Sequence, residues 1–145
     1  MTETAMAALF RAVHRQLTVA GEPWGAAVYP NLAPAGAAYP YVLYNFNGGG
    51  ERNSISARDA EIVLVVKAVS DQLSEAFAAA ARIDTLLNDM GTQDTASGYL
   101  YPGSDSEWSV LTATTEDAVS YQEMMANASP LYHAGARYRF VMEAI

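Results

Sequence analysis

The chain has 145 residues, sixteen acidic against eight basic, and a formal charge of −8. Such a field repels polyanions and argues against binding dominated by nucleic-acid phosphates. With 51% apolar residues, 17% charged and no cysteine, it is too apolar to be disordered and has no disulfide framework, thiolate metal site or cysteine nucleophile.

The first predicted element is a helix from about Glu3 to Val19. Met6, Leu9, Phe10, Val13 and Leu17 recur at helical spacing, with Arg11 and Arg15 opposite. Gly21 and Pro23 stop it. Ala26–Tyr29 predicts a short strand, and the stretch to Ala38, with Pro34 and Gly36, a loop. Tyr41–Phe46 predicts a strand rich in aromatic and branched residues. The tract Gly48-Gly49-Gly50-Glu51-Arg52-Asn53-Ser54 reads as a flexible polar connection. Asp59–Val69 is the strongest strand, and its consecutive apolar residues imply cover on both faces, at least in part.

Ser70 is placed as the N-cap of a second helix, with Asp71 in the first turn. Leu73, Ala76, Phe77, Ala80, Ile83 and Leu87 form its apolar stripe, and Gly91 ends it. Asp84 falls on the Leu73/Phe77 side and is expected to be exposed near the helix end. Thr92–Gly98 is expected to be loop, and Tyr101-Pro102-Gly103 a turn. Trp108–Thr114 and Ala118–Met124 predict two antiparallel strands joined by a Thr115-Glu116-Asp117 turn. Met125–Pro130 breaks the pattern. Tyr132–Ala144 is a long last strand, with Tyr138, Phe140 and Met142 on one face and Arg137, Arg139 and Val141 on the other. The order α-β-β-β-α-β-β-β implies an α+β fold, a mostly antiparallel sheet with two helices packed on it, in one domain spanning 1–145.

No catalytic constellation is visible. His14 and His133 lack a neighbouring carboxylate or histidine at metal-ligand spacing, so both read as structural or surface residues. The triple glycine lacks the lysine signature and the following helix of a phosphate loop. Glu116-Asp117 and Asp105/Glu107 read as solvated turns, and the nine tyrosines chiefly as sheet packing. An enzymatic role, a cofactor and a metal are therefore not expected. Met1-Thr2-Glu3-Thr4 carries no basic or long apolar leader, so Asn127-Ala128-Ser129 reads as a chance glycosylation match. Ile62–Val66, the longest strongly apolar run, is too short for a bilayer, so synthesis in the cytoplasm and no membrane partner are expected.

Taken in order, several of these segments resemble the tail terminator, or tail completion, family of long-tailed bacteriophages and related phage-like particles. They are the N-terminal apolar helix, Val28-Tyr29-Pro30, Tyr39-Pro40-Tyr41-Val42-Leu43-Tyr44 before a long loop, and the strand Glu61–Ala68. That strand runs into Ser70-Asp71 and an Ala-rich helix ending Ile83-Asp84-Thr85-Leu86-Leu87, and Tyr138-Arg139-Phe140-Val141-Met142 closes the set. The resemblance implies a non-catalytic virion protein at the head–tail junction. Six copies would form a ring that caps the tail tube, stops its polymerisation and joins it to the head connector, with DNA passing through the hole. Six chains at −8 would carry −48, which suits DNA that must pass without sticking. Gly48, Gly49, Gly50, Glu51, Arg52, Asn53 and Arg58 are the candidate assembly interface, Arg52 and Arg58 being expected to meet acidic groups of a neighbouring or tube subunit. Two alternatives stay open. One is a neck, head-completion or minor tail protein. The other is a small-molecule-binding α+β domain with a pocket between helix and sheet lined by Tyr41, Tyr44, Trp108 and Tyr138.

Overall fold

A capped helix opens the structure. The Thr4 side-chain oxygen accepts from the Ala7 amide at 3.2 Å, and α1 runs from there over Ala5–Leu17. The computed structural model describes residues 3–18, 21–53, 58–88, 107–127 and 129–144. Expectations placed on Val19, Ser54, Gly91, 92–98 and Tyr101-Pro102-Gly103 lie outside these. Small residues let α1 approach the sheet closely: Ala5, Ala8 and Ala12 are buried beside Leu9, Val13 and Leu17, while Met6 and Phe10 sit at the margin. Gln16 is buried on the same side, and its amide donates to Leu86 O at 3.0 Å, so the polar group is satisfied and ties the two helices together. The Trp24 indole donates to Leu17 O at 2.6 Å and closes the helix end.

The strands are β1 (Val28–Pro30), β2 (Tyr41–Asn53), β3 (Arg58–Ser70), β4 (Trp108–Met124) and β5 (Pro130–Ala144), with α2 (Leu73–Leu87) between β3 and β4. They form one sheet in the order β1-β2-β3-β5-β4, in which only the β1–β2 pair is parallel. The expected α+β class, a mostly antiparallel sheet with two helices, is observed, with one strand fewer.

The difference lies at Thr115-Glu116-Asp117, where a turn is expected from composition. The structure instead carries β4 straight through, with bulges between Val110 and Thr112 and between Thr115 and Asp117. Polar residues that resemble a turn are strand here because β5 supplies partners: Arg139 binds Glu116, and Arg137 binds Asp117 at 2.7 Å. The tract Gly48–Asn53, expected as a flexible connection, is likewise strand, paired with Arg58–Val63 of β3 after a bulge between Phe46 and Gly48. Gly49 adopts φ +91°, and a Cβ there would lie 1.9 Å from Glu61 O, so this position accepts only glycine.

The helices cover one face. Ala60, Ile62, Leu64, Val66 and Ala68 of β3 meet Tyr138, Phe140 and Met142 of β5 under α1 and α2, in the alternation expected for β5. Trp108 packs in the same core. Burying side chains of this size contributes roughly 2–3 kcal/mol each. The cover expected on the other face of β3 exists at one end only, where Leu43, Val69 and Leu131 cluster beneath Tyr29, Ala33 and Tyr41.

Three features of α2 depart from expectation. Gln72, not Ser70, occupies the N-cap position; Ser70 ends β3, where its Oγ accepts from Gln72 N and donates to Glu75 at 2.6 Å. Leu73 and Phe77 are 48% and 49% exposed; Ala76, Ile83 and Leu87 of the expected stripe are buried, joined by Ala79 and Leu86. Asp84 is half-buried rather than solvated, accepting from the Tyr138 hydroxyl at 3.0 Å and the Thr115 hydroxyl at 2.6 Å. Burial, then the Asp84 charge, pushes the Tyr138 hydroxyl well above its ordinary range, so it stays a donor.

Candidate assembly surfaces

Alternation along the strands leaves the face opposite the helices open, and charge fills its middle. Arg139 on β5 binds Glu61 on β3 and Glu116 on β4. Arg137 adds Asp117 and reaches Asn47 at 3.4 Å. Arg52 on β2 lies 3.4 Å from Asp59 and 3.6 Å from Glu61. Four strands are thus laced by exposed ion pairs, each worth little alone.

The sequence-predicted interface residues divide between the two faces. Gly48, Gly49, Gly50, Glu51 and Arg52 border a shallow depression with Glu61, Glu116, Arg137 and Arg139. Arg58 turns to the helix side, where it binds Glu51 and its guanidinium lies 5.1 Å from the Trp108 ring centre. Asn53 stands opposite Arg58 in the ladder. Arg52 and Arg58 thus have acidic partners within their own chain.

Both sheet edges are open among the described residues. β1 pairs only with Val42–Tyr44, which leaves the outer edge of β2 bare from Asn45 to Asn53. At the other side no described strand pairs with the outer edge of β4, where the Thr115 amide donates to Asn88 Oδ1 at 3.1 Å. Long bare edges invite strand addition, and bulges such as those of β4 locally discourage it.

The end of the sheet away from the ion pairs carries exposed apolar groups. Leu32 is 82% exposed, and Tyr39, Tyr121, Met124 and Met125 are exposed nearby. Lys67 donates to the Tyr121 hydroxyl and sits 4.8 Å from its ring centre. His133 stacks on the same ring, with 4.3 Å between ring centres and an interplanar angle of 12°. A second cleft, about 390 Å³, opens on the helix side between α2 and the hairpin β4–β5, lined by Phe77, Ala80, Ala118, Ala136 and Tyr138. The tyrosines and tryptophan expected around one pocket do not meet in one: Tyr44, Trp108 and Tyr138 are core residues, and Tyr41 belongs to the small cluster on the open face. Among the described residues no group of three or more His, Asp or Glu converges to hold a metal, and no helix is long and apolar enough to cross a membrane.

No protein-family profile matches the chain, and no curated protein matches it. A solved structure does: a chain from the virion of a native gene transfer agent (GTA) particle, with TM-score 0.61 and 18% identity. The match covers 97% of this chain and 99% of that one. The two chains share one fold.

The environment of His133 is another feature that the sequence does not convey. It is buried, its Nδ1 has no partner among the described residues, and its Nε2 lies 3.4 Å from Glu123. Burial first, then the Lys67 charge, lowers its pKa below the ordinary 6.5, against the opposing pull of Glu123. The unfolded chain, with its histidine at the ordinary value, takes up the proton first, so acid favours unfolding. Stability from this group is expected to be intact above pH 6.5 and to fall as the pH drops below it. Melting temperatures between pH 8 and 5 check this: wild type should lose more in acid than His133→Phe, which keeps the stack but not the proton. Parallel curves would refute it.

Proposed function

We propose that this chain is a structural, non-catalytic component of a phage-like particle, and specifically a tail terminator. Six copies form a ring that caps the tail tube at the head–tail junction, ends tube growth and presents the surface that meets the head connector. DNA passes through the hole without sequence-specific contacts. The observation that carries this reading is a fold match to a virion chain that runs nearly end to end in both chains, 97% and 99%. The ordered sequence segments described above narrow it to the terminator. The net charge of −8 fits a conduit that does not retain DNA, and two bare edges on opposite sides of one sheet suit head-to-tail contacts that close into a ring.

Native mass spectrometry over a concentration series tests it. A species of about 93 kDa, six chains of 15.5 kDa, is expected. A monomer that stays monomeric at every concentration, leaves tube length unchanged in an assembly reaction and gains thermal stability with a small ligand would replace it with the pocket-domain reading. Gold labelling along the particle separates a terminator at the tube end from a neck or minor tail protein.

A further inference from the structure

The edges have features that packing within one chain leaves unexplained. Glycine inside a strand costs roughly 0.5–1 kcal/mol relative to alanine. Gly49 is demanded by its backbone, but Gly48 and Gly50 are not: neither has a positive φ, and a Cβ at either would meet nothing within 4 Å. Both stand on the part of β2 that β1 leaves bare. Glycine in a strand commonly marks a place where another backbone comes close.

The usable lengths of the two edges also agree. β1 blocks β2 up to Tyr44, so a neighbour can add only along Asn45–Asn53. The bulges disturb β4 up to Asp117, so its regular run is Asp117–Met124, all of it exposed or half-buried. The strand directions alternate from β2 through β3 and β5 to β4, so one copy's β4 beside the next copy's β2 continues the antiparallel sheet. Charge selects the pairing further. β4 carries Glu116, Asp117 and Glu123 and no base, so two β4 edges repel, whereas β2 offers Arg52.

We propose that the run Asp117–Met124 of one copy pairs antiparallel with the bare run of β2 in a second copy, with Arg52 opposite Asp117, Gly50 opposite Val119 and Gly48 opposite Tyr121. In this register the glycines receive the Val119 and Tyr121 side chains on the open face. Phe46, 47% exposed, then shares the helix-side face with Met124, 59% exposed. The contact deepens the ring reading and rests on it.

The absence of cysteine makes the test direct. Residues directly opposite in an antiparallel pair lie within disulfide reach. The full chain carrying Gly50→Cys and Val119→Cys is oxidised and compared with Gly50→Cys and Thr114→Cys, which is out of register. A ladder of covalent multimers in roughly tenfold excess over the control is expected, because paired cysteines react at high effective concentration. Gly48→Cys with Tyr121→Cys repeats the test in the same register should circular dichroism show the first pair misfolded. A hexamer by mass without this crosslink overturns the strand pairing and leaves the ring reading intact. A ladder that continues past six keeps the pairing and overturns ring closure. A monomer that forms no crosslinks, leaves tube length unchanged in the assembly reaction and gains thermal stability with a small ligand overturns both.

Discussion

Gly135→Ala is expected to lower stability by about 3 kcal/mol, a drop of roughly 10 °C in melting temperature for a chain of this size. Gly135 lies in the middle of β5, opposite Lys67 of β3 and Val119 of β4. A Cβ there would stand 2.1 Å from Val66 O and 2.5 Å from Lys67 Cα. Both are backbone atoms in the central strand, so no side chain can rotate out of the way. Relief requires β3 and β5 to part where they pair. Gly50→Ala is the control: its Cβ meets nothing, and strand propensity improves, so the isolated chain should be unchanged or slightly more stable. Thermal melts of the two variants decide it. A Gly135→Ala melt within about 2 °C of wild type would mean that the strands tolerate a wider spacing than the ladder indicates.

Phe140→Ala should cost about 4 kcal/mol, a large share of the roughly 5–15 kcal/mol that holds a typical domain together. Phe140 is fully buried, pairs with Ile62 on one side and Ala113 on the other, and lies 6.5 Å from the Tyr138 ring. The neighbours belong to three strands of one sheet and cannot collapse into the space without disturbing their ladders. Phe46→Ala removes the same atoms from a position 47% exposed and should cost under about 1 kcal/mol in the isolated chain. Urea unfolding midpoints at constant slope measure both. Equal losses would show that Phe140 does not anchor the core.

Alternation makes β5 legible in the amino-acid sequence alone. Tyr138, Phe140 and Met142 recur every second residue with Arg139 and Val141 between them, and a period of two admits only a strand with one buried face. β3 is legible for a related reason, since the aliphatic run Ile62–Val66, bounded by charge, fits nothing else of that length. Helix α2 is half legible. Periodicity gives the direction of an apolar face but not its centre, and here the contact turns toward Ala76 and Ala79, whose small side chains allow close approach, leaving Leu73 and Phe77 at the rim. The two strand segments that read as turn or loop fail for one physical cause. Glu116-Asp117 and Glu51-Arg52 look solvated in isolation, but each has cross-strand partners that only the folded ladder brings opposite, Arg139 and Arg137 for the first pair and Arg58 and Asp59, across the β2–β3 connection, for the second. Local composition carries no record of such partners. The candidate interface is legible as a location, because three glycines followed by charge are conspicuous. Its character as a bare sheet edge is not, because that depends on how far β1 reaches.

Lys67 is the only lysine in the chain, and it rests on the Tyr121 ring above the open face. An amine-directed reagent therefore meets a single side-chain target. A dye or mass tag placed there would report from one known spot per subunit, beside the run of β4 argued to join the next copy.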